Sequence, residues 1–400
     1  MLNQYDDCLI FYTIQILFYK YIYMSNHFRN PFENLQLNRY PYSSDKTLRA
    51  WDAADEYLLN YLFTEKIDLS NMKILIFNDS FGALPLSLQQ YNPTYVTDSL
   101  LSQIGTEKNR HLNHINSENI KFIDSLSNPN IYFDLLLIKV PKTLDFLQDY
   151  LVKIKPLLKD NCIIIVAGMI KTTPKSVWKI LEKTLGKTST SLAKKKARLI
   201  FVKLEEKVVN SSYPVIFIQE NTNYAIYNHS NVFSKKSLDI GTRFLLENLP
   251  RYENVKSIID LGCGNGIVGL NLAKTHPNAT VTFIDESFMA IASAKLTIEN
   301  NISSKHSHQF IVNDCLDKIE ANSVDLIVCN PPFHQSHSVG IDIAMKMFKQ
   351  AHKTLKSKGH FIVVANRHLP YSSQLKRIFG KVQKQNSNSK FNIYAMIKNN

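Results

Sequence analysis

Two short runs of this sequence carry residue types that a reaction could use. The first is Asp260-Leu261-Gly262-Cys263-Gly264-Asn265-Gly266, directly after an apolar stretch and before a helix-like pattern. Glycines so spaced let the backbone turn sharply and let a ligand come into van der Waals contact. In parallel α/β sheets, ligands bind beyond the carboxyl ends of the strands, where this loop would lie. Asp285 closes the next apolar run, VTFID, where a carboxylate can accept from both hydroxyls of a ribose. Asp314, just past QFIV, is placed to reach an adenine amine.

The same residues suit a second ligand class. Gly264, Gly266 and Gly269 satisfy G-x-G-x-x-G, and Asp285 fits a nicotinamide dinucleotide equally well. Asp260 tilts the choice toward S-adenosylmethionine. That cofactor carries a cationic ammonium and no pyrophosphate, so a carboxylate beside the loop favours it and disfavours the dinucleotide.

The second run, Asn330-Pro331-Pro332-Phe333, follows a buried strand directly. Its prolines fix the backbone, so the Asn330 side chain and the Pro331 carbonyl can point at one spot. Both are acceptors. An exocyclic amine conjugated to a ring is a poor nucleophile because its lone pair is delocalised. Two acceptors can hold its hydrogens and aim the lone pair at a methyl donor. A sulfonium methyl is already activated, so no strong general base is required. Phe333 offers a face for stacking on a base. His334, His337, Arg367 and His368 are weaker candidates for substrate or phosphate contact.

These motifs need strands that end together. From 256 onward, KSIIDL, VTFID, QFIV, VDLIVCN and HFIVVAN read as strands, with helices to about Lys274, over 287–300 and over about 341–357. Such alternation predicts a parallel sheet covered by helices on both faces. The first half repeats the plan. KILIFND (73–79), YVTDS (95–99), DLLLIKVPK (134–142) and NCIIIVAG (161–168) parallel KSIIDLG, FIDES, DLIVCNPPF and HFIVVANR. There Lys139 falls at Asn330, and Asp79-Ser80-Phe81-Gly82 replaces the glycine series. The first half is thus expected to keep the fold without the chemistry.

The chain has 400 residues, room for two domains, and a net charge of +13. The charge is concentrated: residues 151–200 hold twelve Lys/Arg against two Asp/Glu, and residues 351–400 hold ten against none. Two basic segments on an otherwise acidic chain point to a polyanion, and nucleic acid is the default partner. Lys171, Lys175 and the run Lys194-Lys195-Lys196-Ala197-Arg198 are candidates for gripping its backbone; Trp51 and Tyr57 are expected in the core. Cys8, Cys162, Cys263, Cys315 and Cys329 show no CxxC or zinc spacing, so free thiols in a reducing cytoplasm and no bound metal are expected. The apolar run 8–23 is interrupted by Gln15 and Lys20 and preceded by Asp6 and Asp7, which fits neither a membrane span nor a secretion signal.

DLGCGNGIVGL, FIDES, VCNPPFH and VANRHLPY closely resemble the bacterial ribosomal RNA guanine-N2 methyltransferases. The resemblance runs from about Ser25 to the end and includes AWDAADEYLL (50–59) and LAKKKARLI (192–200). NPPFHQSH, LKRIFG (375–380) and the lysine run favour the large-subunit (23S) branch over the small-subunit (16S) branch.

The resemblance implies two tandem Rossmann-like class I methyltransferase domains, the N-terminal one degenerate. It implies an S-adenosylmethionine-dependent enzyme acting in the cytoplasm on N2 of a guanine in 23S rRNA or in a large-subunit assembly intermediate. Asp260, Gly262, Gly264, Gly266, Asp285 and Asp314 would hold the cofactor, and Asn330, Pro331, Pro332 and Phe333 the guanine. The expected organisation is an extra segment 1–24, either a mis-called start or a short extra helix; a degenerate methyltransferase-like domain for RNA recognition, 25–205; a linker, 206–235; and a catalytic domain, 236–400. A target inside a duplex would have to be unpaired or flipped. Three other readings use the same residues: a 16S rRNA enzyme, a methyltransferase for DNA adenine or protein glutamine, and a non-catalytic RNA-binding assembly factor.

Overall fold

Runs such as ILIF (74–77) and LIVC (326–329) are apolar and buried at every position, as in parallel strands covered on both faces. The computed structural model of the chain describes residues 26–399 apart from 44, 46, 207, 304–307 and 333–336, with 337–339 described for backbone alone. Segment 1–24, Phe333, His334 and the His337 side chain therefore lie outside the described residues.

An N-terminal hairpin pairs β1 (His27–Arg29) with β2 (Asn34–Gln36). The first sheet comprises β3 (Ile74–Phe77), β4 (Thr94–Thr97), β5 (Lys121–Asp124), β6 (Phe133–Lys139), β7 (Leu158–Met169), β8 (Thr188–Thr190) and β9 (Ala197–Val202). Its order is β5-β4-β3-β6-β7-β9-β8. A second hairpin joins β10 (Val215–Ile218) to β11 (Ala225–Asn228). The second sheet comprises β12 (Ser257–Leu261), β13 (Thr280–Asp285), β14 (Gln309–Val312), β15 (Val324–Cys329), β16 (Leu355–Asn366), β17 (Gln383–Ser387) and β18 (Phe391–Ile397). Its order, β14-β13-β12-β15-β16-β18-β17, matches the first sheet position for position.

Both sheets are mixed rather than wholly parallel. β12 to β16 run parallel, while β18 pairs antiparallel with β16 and with β17. The sequence reading named neither β17 nor β18: QKQNS is polar and mostly exposed, with no apolar run to announce an edge strand, and FNIYAMI lies beyond the last strand–helix alternation that was read. The last crossover helix, His337–Thr354, ends earlier than expected, and β16 follows it without a turn. The extra residues are taken up by a register shift after Val324↔Leu355, with Lys358 in the left-handed region.

Apolar side chains cover both faces of each sheet. Trp51 and Tyr57 are buried on one face of the first. Val232 and Met289, from the far side of the junction, complete the core on its other face. Within 206–235, read above as linker, β10 and β11 form an ordered hairpin. The Ala225 and Tyr227 amides donate to Asn301 Oδ1 and Thr297 Oγ1 on the helix Phe288–Asn301. No helix among the described residues is long and apolar enough to cross a membrane.

The halves meet in a reciprocal way. Asp98 accepts from Ser287 Oγ at 2.6 Å and from the Met289 N–H at 2.9 Å, at the start of the helix Phe288–Asn301. Glu286 accepts from Ser99 Oγ at 2.5 Å and from the Leu101 N–H at 3.5 Å, at the start of the helix Leu100–Leu112. Each half thus supplies a carboxyl acceptor to the N-terminal end of a helix in the other.

Candidate active site

The two motifs come together because β12 and β15 are neighbours. Leu261 is in register with Cys329, so Gly262 and Asn330 leave the sheet side by side. The strand order reverses at this pair, the point where α/β sheets open a crevice.

Gly262, Gly264 and Gly266 have φ of 73°, 54° and 78°, in the left-handed region that L side chains rarely adopt. Gly266 is set back from the cavity, where a Cβ would stand 2.8 Å from that of Ala294. At Gly264 a Cβ would meet nothing within 4 Å, because that residue borders open space.

Asp260 lies beneath the loop, 2% exposed, and accepts from the Gly269 N–H at 2.7 Å. Burial pushes its carboxyl up to about 7, and Asp285 adds to the rise. Asp285 accepts from the Gly264 and Ser287 N–H groups, each at 3.0 Å. Burial raises its pKa too, against the pull of those donors. Asp314 is 2% exposed and already engaged: Tyr40 donates to it at 2.5 Å and Lys346 pairs with it at 2.6 Å.

Asn330 Nδ2 donates to Thr242 Oγ1 at 2.9 Å. Its Oδ1 is buried and accepts no hydrogen bond among the described residues. An orphaned acceptor of this kind costs folding free energy, about 1–3 kcal/mol, unless a ligand donor meets it.

A cavity of about 1240 Å³ joins these groups. Asp260, Gly262, Gly264, Asp285, Asp314, Asn330, Pro331 and Pro332 all line it. Arg367 and His368 line it as well, together with Lys390 from the β17–β18 turn. Tyr40, Pro41 and Tyr42 reach it from the first half. The lysine run lies elsewhere, in the β8–β9 turn, where Lys195 pairs with Glu56 and Lys194 sits over the Tyr57 ring.

Sequence reasoning missed Tyr40, Lys346, Lys390, Asp239 and Thr242. Asp239 did carry a signal, an acidic N-cap before a helical pattern. The sequence held nothing to say that its helix, Ile240–Glu247, packs beside Asn330.

The equivalent place in the first half is closed. Asp79 accepts from the Leu84 N–H five residues on, where Asp260 spans nine residues to Gly269. The loop 78–82 is as long as 262–266, but Asp79 stands within it and takes the Phe81, Gly82 and Leu84 N–H groups for itself. Lys139, at the Asn330 position, is held by Asp52 at 2.8 Å and Asp55 at 2.6 Å.

Two seven-stranded sheets of one order, with a glycine loop and an Asn-Pro-Pro turn on one cavity, define a methyltransferase of the class I fold. The families described as RLMG N-terminal domain and Methyltransferase small domain match residues 25–206 and 223–395. A ribosomal RNA large subunit methyltransferase G from Pseudoalteromonas translucida is 43% identical over 91% of this chain and 96% of its own length. One from Psychromonas ingrahamii is 40% identical over 92% and 97%. The chain belongs to the ribosomal RNA large subunit methyltransferase G family. Among solved structures, the T. thermophilus 16S rRNA N2 G1207 methyltransferase (RsmC), in complex with AdoMet and guanosine, shares the fold with a TM-score of 0.73. It is 20% identical and covers 93% of this chain and 97% of that one.

Proposed function

We propose that this protein transfers a methyl group from S-adenosylmethionine to the exocyclic N2 of a guanine in 23S rRNA. The observation that carries the proposal is the unpartnered Asn330 Oδ1, on the same cavity as the glycine loop. At about 1240 Å³ the cavity exceeds the roughly 300–1,000 Å³ of a single-ligand pocket, which suits a cofactor and a base together.

The cofactor would supply an activated sulfonium methyl. Gly262 and Gly264 would let it approach the backbone, with Gly266 holding the turn that shapes the loop. Asp260 would place negative charge beneath a cation. Asp285, its orientation fixed by two N–H donors, keeps lone pairs for the ribose hydroxyls. Asp314 bounds the adenine end and retains lone pairs beyond those taken by Tyr40 and Lys346. Asn330 Oδ1 and the Pro331 carbonyl would accept the guanine amine hydrogens, Pro332 stiffens the turn, and Phe333 would stack on the base. Arg367, His368 and Lys390 give the cavity a cationic side for phosphate.

Residues 25–205 would serve RNA recognition and residues 236–400 the transfer, with 206–235 joining them. We place the reaction in the cytoplasm, where Cys162, Cys263, Cys315 and Cys329 stay free thiols. The test is methyl transfer from labelled S-adenosylmethionine to unmodified 23S and 16S rRNA, with Asn330→Ala as control. Label at a 23S guanine N2 that the control abolishes is the expected result. Label only in 16S rRNA would move the target to the small subunit; label in neither would overturn the free-RNA reaction.

A further inference from the structure

Asn330 can serve a substrate amine only if its carbonyl end faces the substrate. A primary amide is nearly symmetric in shape, so packing alone does not choose which end points where. Hydrogen bonding can. Thr242 lies between Asn330 and Asp239. Its Oγ1 receives the Asn330 Nδ2 donor at 2.9 Å and donates to Asp239 Oδ2 at 3.2 Å. The Thr242 N–H also donates to Asp239 Oδ2, at 2.9 Å.

A hydroxyl has one proton to give. Asp239 is an acceptor only, so it takes that proton. Thr242 Oγ1 is then left with lone pairs toward Asn330, and only the NH2 end of the amide can face it. The Oδ1 end is turned away, without a partner among the described residues. Thr242 is buried at 8% exposure, so water competes poorly for either bond.

The other half of the molecule has a matching arrangement. WDAADEYLL (51–59) and LDIGTRFLL (238–246) align, and Asp52 and Asp239 each precede a helix as its N-cap. At the strand end, Lys139 contacts Asp52 and Asp55, the positions that Asp239 and Thr242 occupy. Where the strand end carries a cation, the helix presents a carboxylate at the third position. Where it carries an amide, the helix presents a hydroxyl backed by a carboxylate. The side chain at the strand end is steered from the same helix turn in both halves.

We propose that Asp239 and Thr242 are positioning residues, which set the Asn330 amide with its oxygen toward the incoming amine. This rests on the role given to Asn330 above. The pair touches neither reacting atom; it acts through Asn330.

The test compares Thr242→Val, which keeps shape and loses the hydroxyl, with Thr242→Ser, which restores it. Both are measured on the full chain with saturating 23S rRNA, alongside Asn330→Ala. The valine variant is expected to lose about 10–100-fold in kcat, the range typical of outer-shell partners. Its S-adenosylmethionine Kd and melting temperature should stay near those of the parent, and serine should recover most of the rate. Thr242→Ala gives the same split if valine impairs folding. A valine variant with parental kcat, or a serine variant as slow as valine, would overturn the proposal. If Asn330→Ala itself turns over normally, the reading of Asn330 fails first. An inactive Asn330→Ala beside a fully active Thr242→Val sinks the positioning role alone.

Discussion

The Lys139 ammonium lies 2.6 Å from the Asp55 carboxylate, at the strand end where the second half carries Asn330. Burial is the largest influence on Asp55 and pushes its carboxyl up to about 7, although Lys139 pulls the other way. Lys139 therefore has a structural part to play at the position that carries Asn330 in the second half. It neutralises the buried Asp55, which apolar surroundings would otherwise reject, and pairs with the exposed Asp52.

Replacing Lys139 with Met should destabilise the protein by about 1–3 kcal/mol, because it leaves the buried Asp55 without its partner. Urea unfolding measures this. Lys139→Asn should not create a second active site, since Asp79 fills the loop after β3 and holds its N–H groups. Methyl transfer by Lys139→Asn in an Asn330→Ala background should stay at zero.

Much of this was legible in the sequence. The duplication showed in the matched strand ends, and the loss of chemistry showed in Lys139 and the missing glycines. Asp260, Gly264, Asp285 and Asn330 were recognisable because each sits at the end of an apolar run. Other features were not readable for physical reasons. The Thr242–Asn330 bond joins residues far apart in the chain. Tyr40 reaches Asp314 from the other half. The antiparallel β17 is a polar edge strand, which hydrophobic periodicity cannot reveal.

Two glycines separate folding from binding. A Cβ at Gly269 would stand 2.1 Å from the Phe283 ring, so Gly269→Ala should cost about 1–3 kcal/mol by overpacking. A Cβ at Gly264 meets nothing, but its φ of 54° makes any side chain strained. Gly264→Ala should lower stability by about 1–2 kcal/mol and weaken S-adenosylmethionine binding through the methyl that now borders the cavity. Both variants should therefore melt below the parent, and cofactor titration should show the larger loss of affinity for Gly264→Ala.

Binding should also depend on pH. Asp260 titrates near 7 in the folded protein because it is buried, against an unfolded value near 3.8. The folded state holds a proton that the unfolded state releases, so stability is lost as pH rises from about 4 to about 7. A cationic ligand favours the ionised carboxylate and releases that proton on binding. Affinity for S-adenosylmethionine should rise with pH up to about 7, by at most about tenfold per unit, and then level off. S-adenosylhomocysteine, which keeps the ammonium, should show the same rise, and Asp260→Asn should flatten it. An unchanged slope in Asp260→Asn, measured by calorimetry, would remove Asp260 as the source.

The contact between the halves reaches the cofactor site through consecutive residues. Asp98 accepts from Ser125 Oγ, Asn231 Nδ2, Ser287 Oγ and the Met289 N–H, gathering both halves and their junction on one carboxylate. Ser287 in turn donates its N–H to Asp285. Asp98→Ala removes the acceptor and leaves those buried donors unpaired, at about 1–3 kcal/mol for each that finds no water. Its urea midpoint should fall clearly below that of the parent. The helix Phe288–Asn301 loses the carboxyl acceptor at its start, so the segment holding Asp285 should loosen and cofactor affinity should fall with it. Ser99→Ala serves as the control: it removes one bond to Glu286 on the other side of the pseudo-symmetric contact, and leaves the Ser287–Asp285 bond in place. It should cost about 1 kcal/mol of stability, as other N-cap losses do, with little change in cofactor Kd. A drop in cofactor affinity for Asp98→Ala alone would mean that the first half, though it has lost its own cofactor loop, still sets the geometry of the second. Equal affinities would confine the contact to holding the halves together.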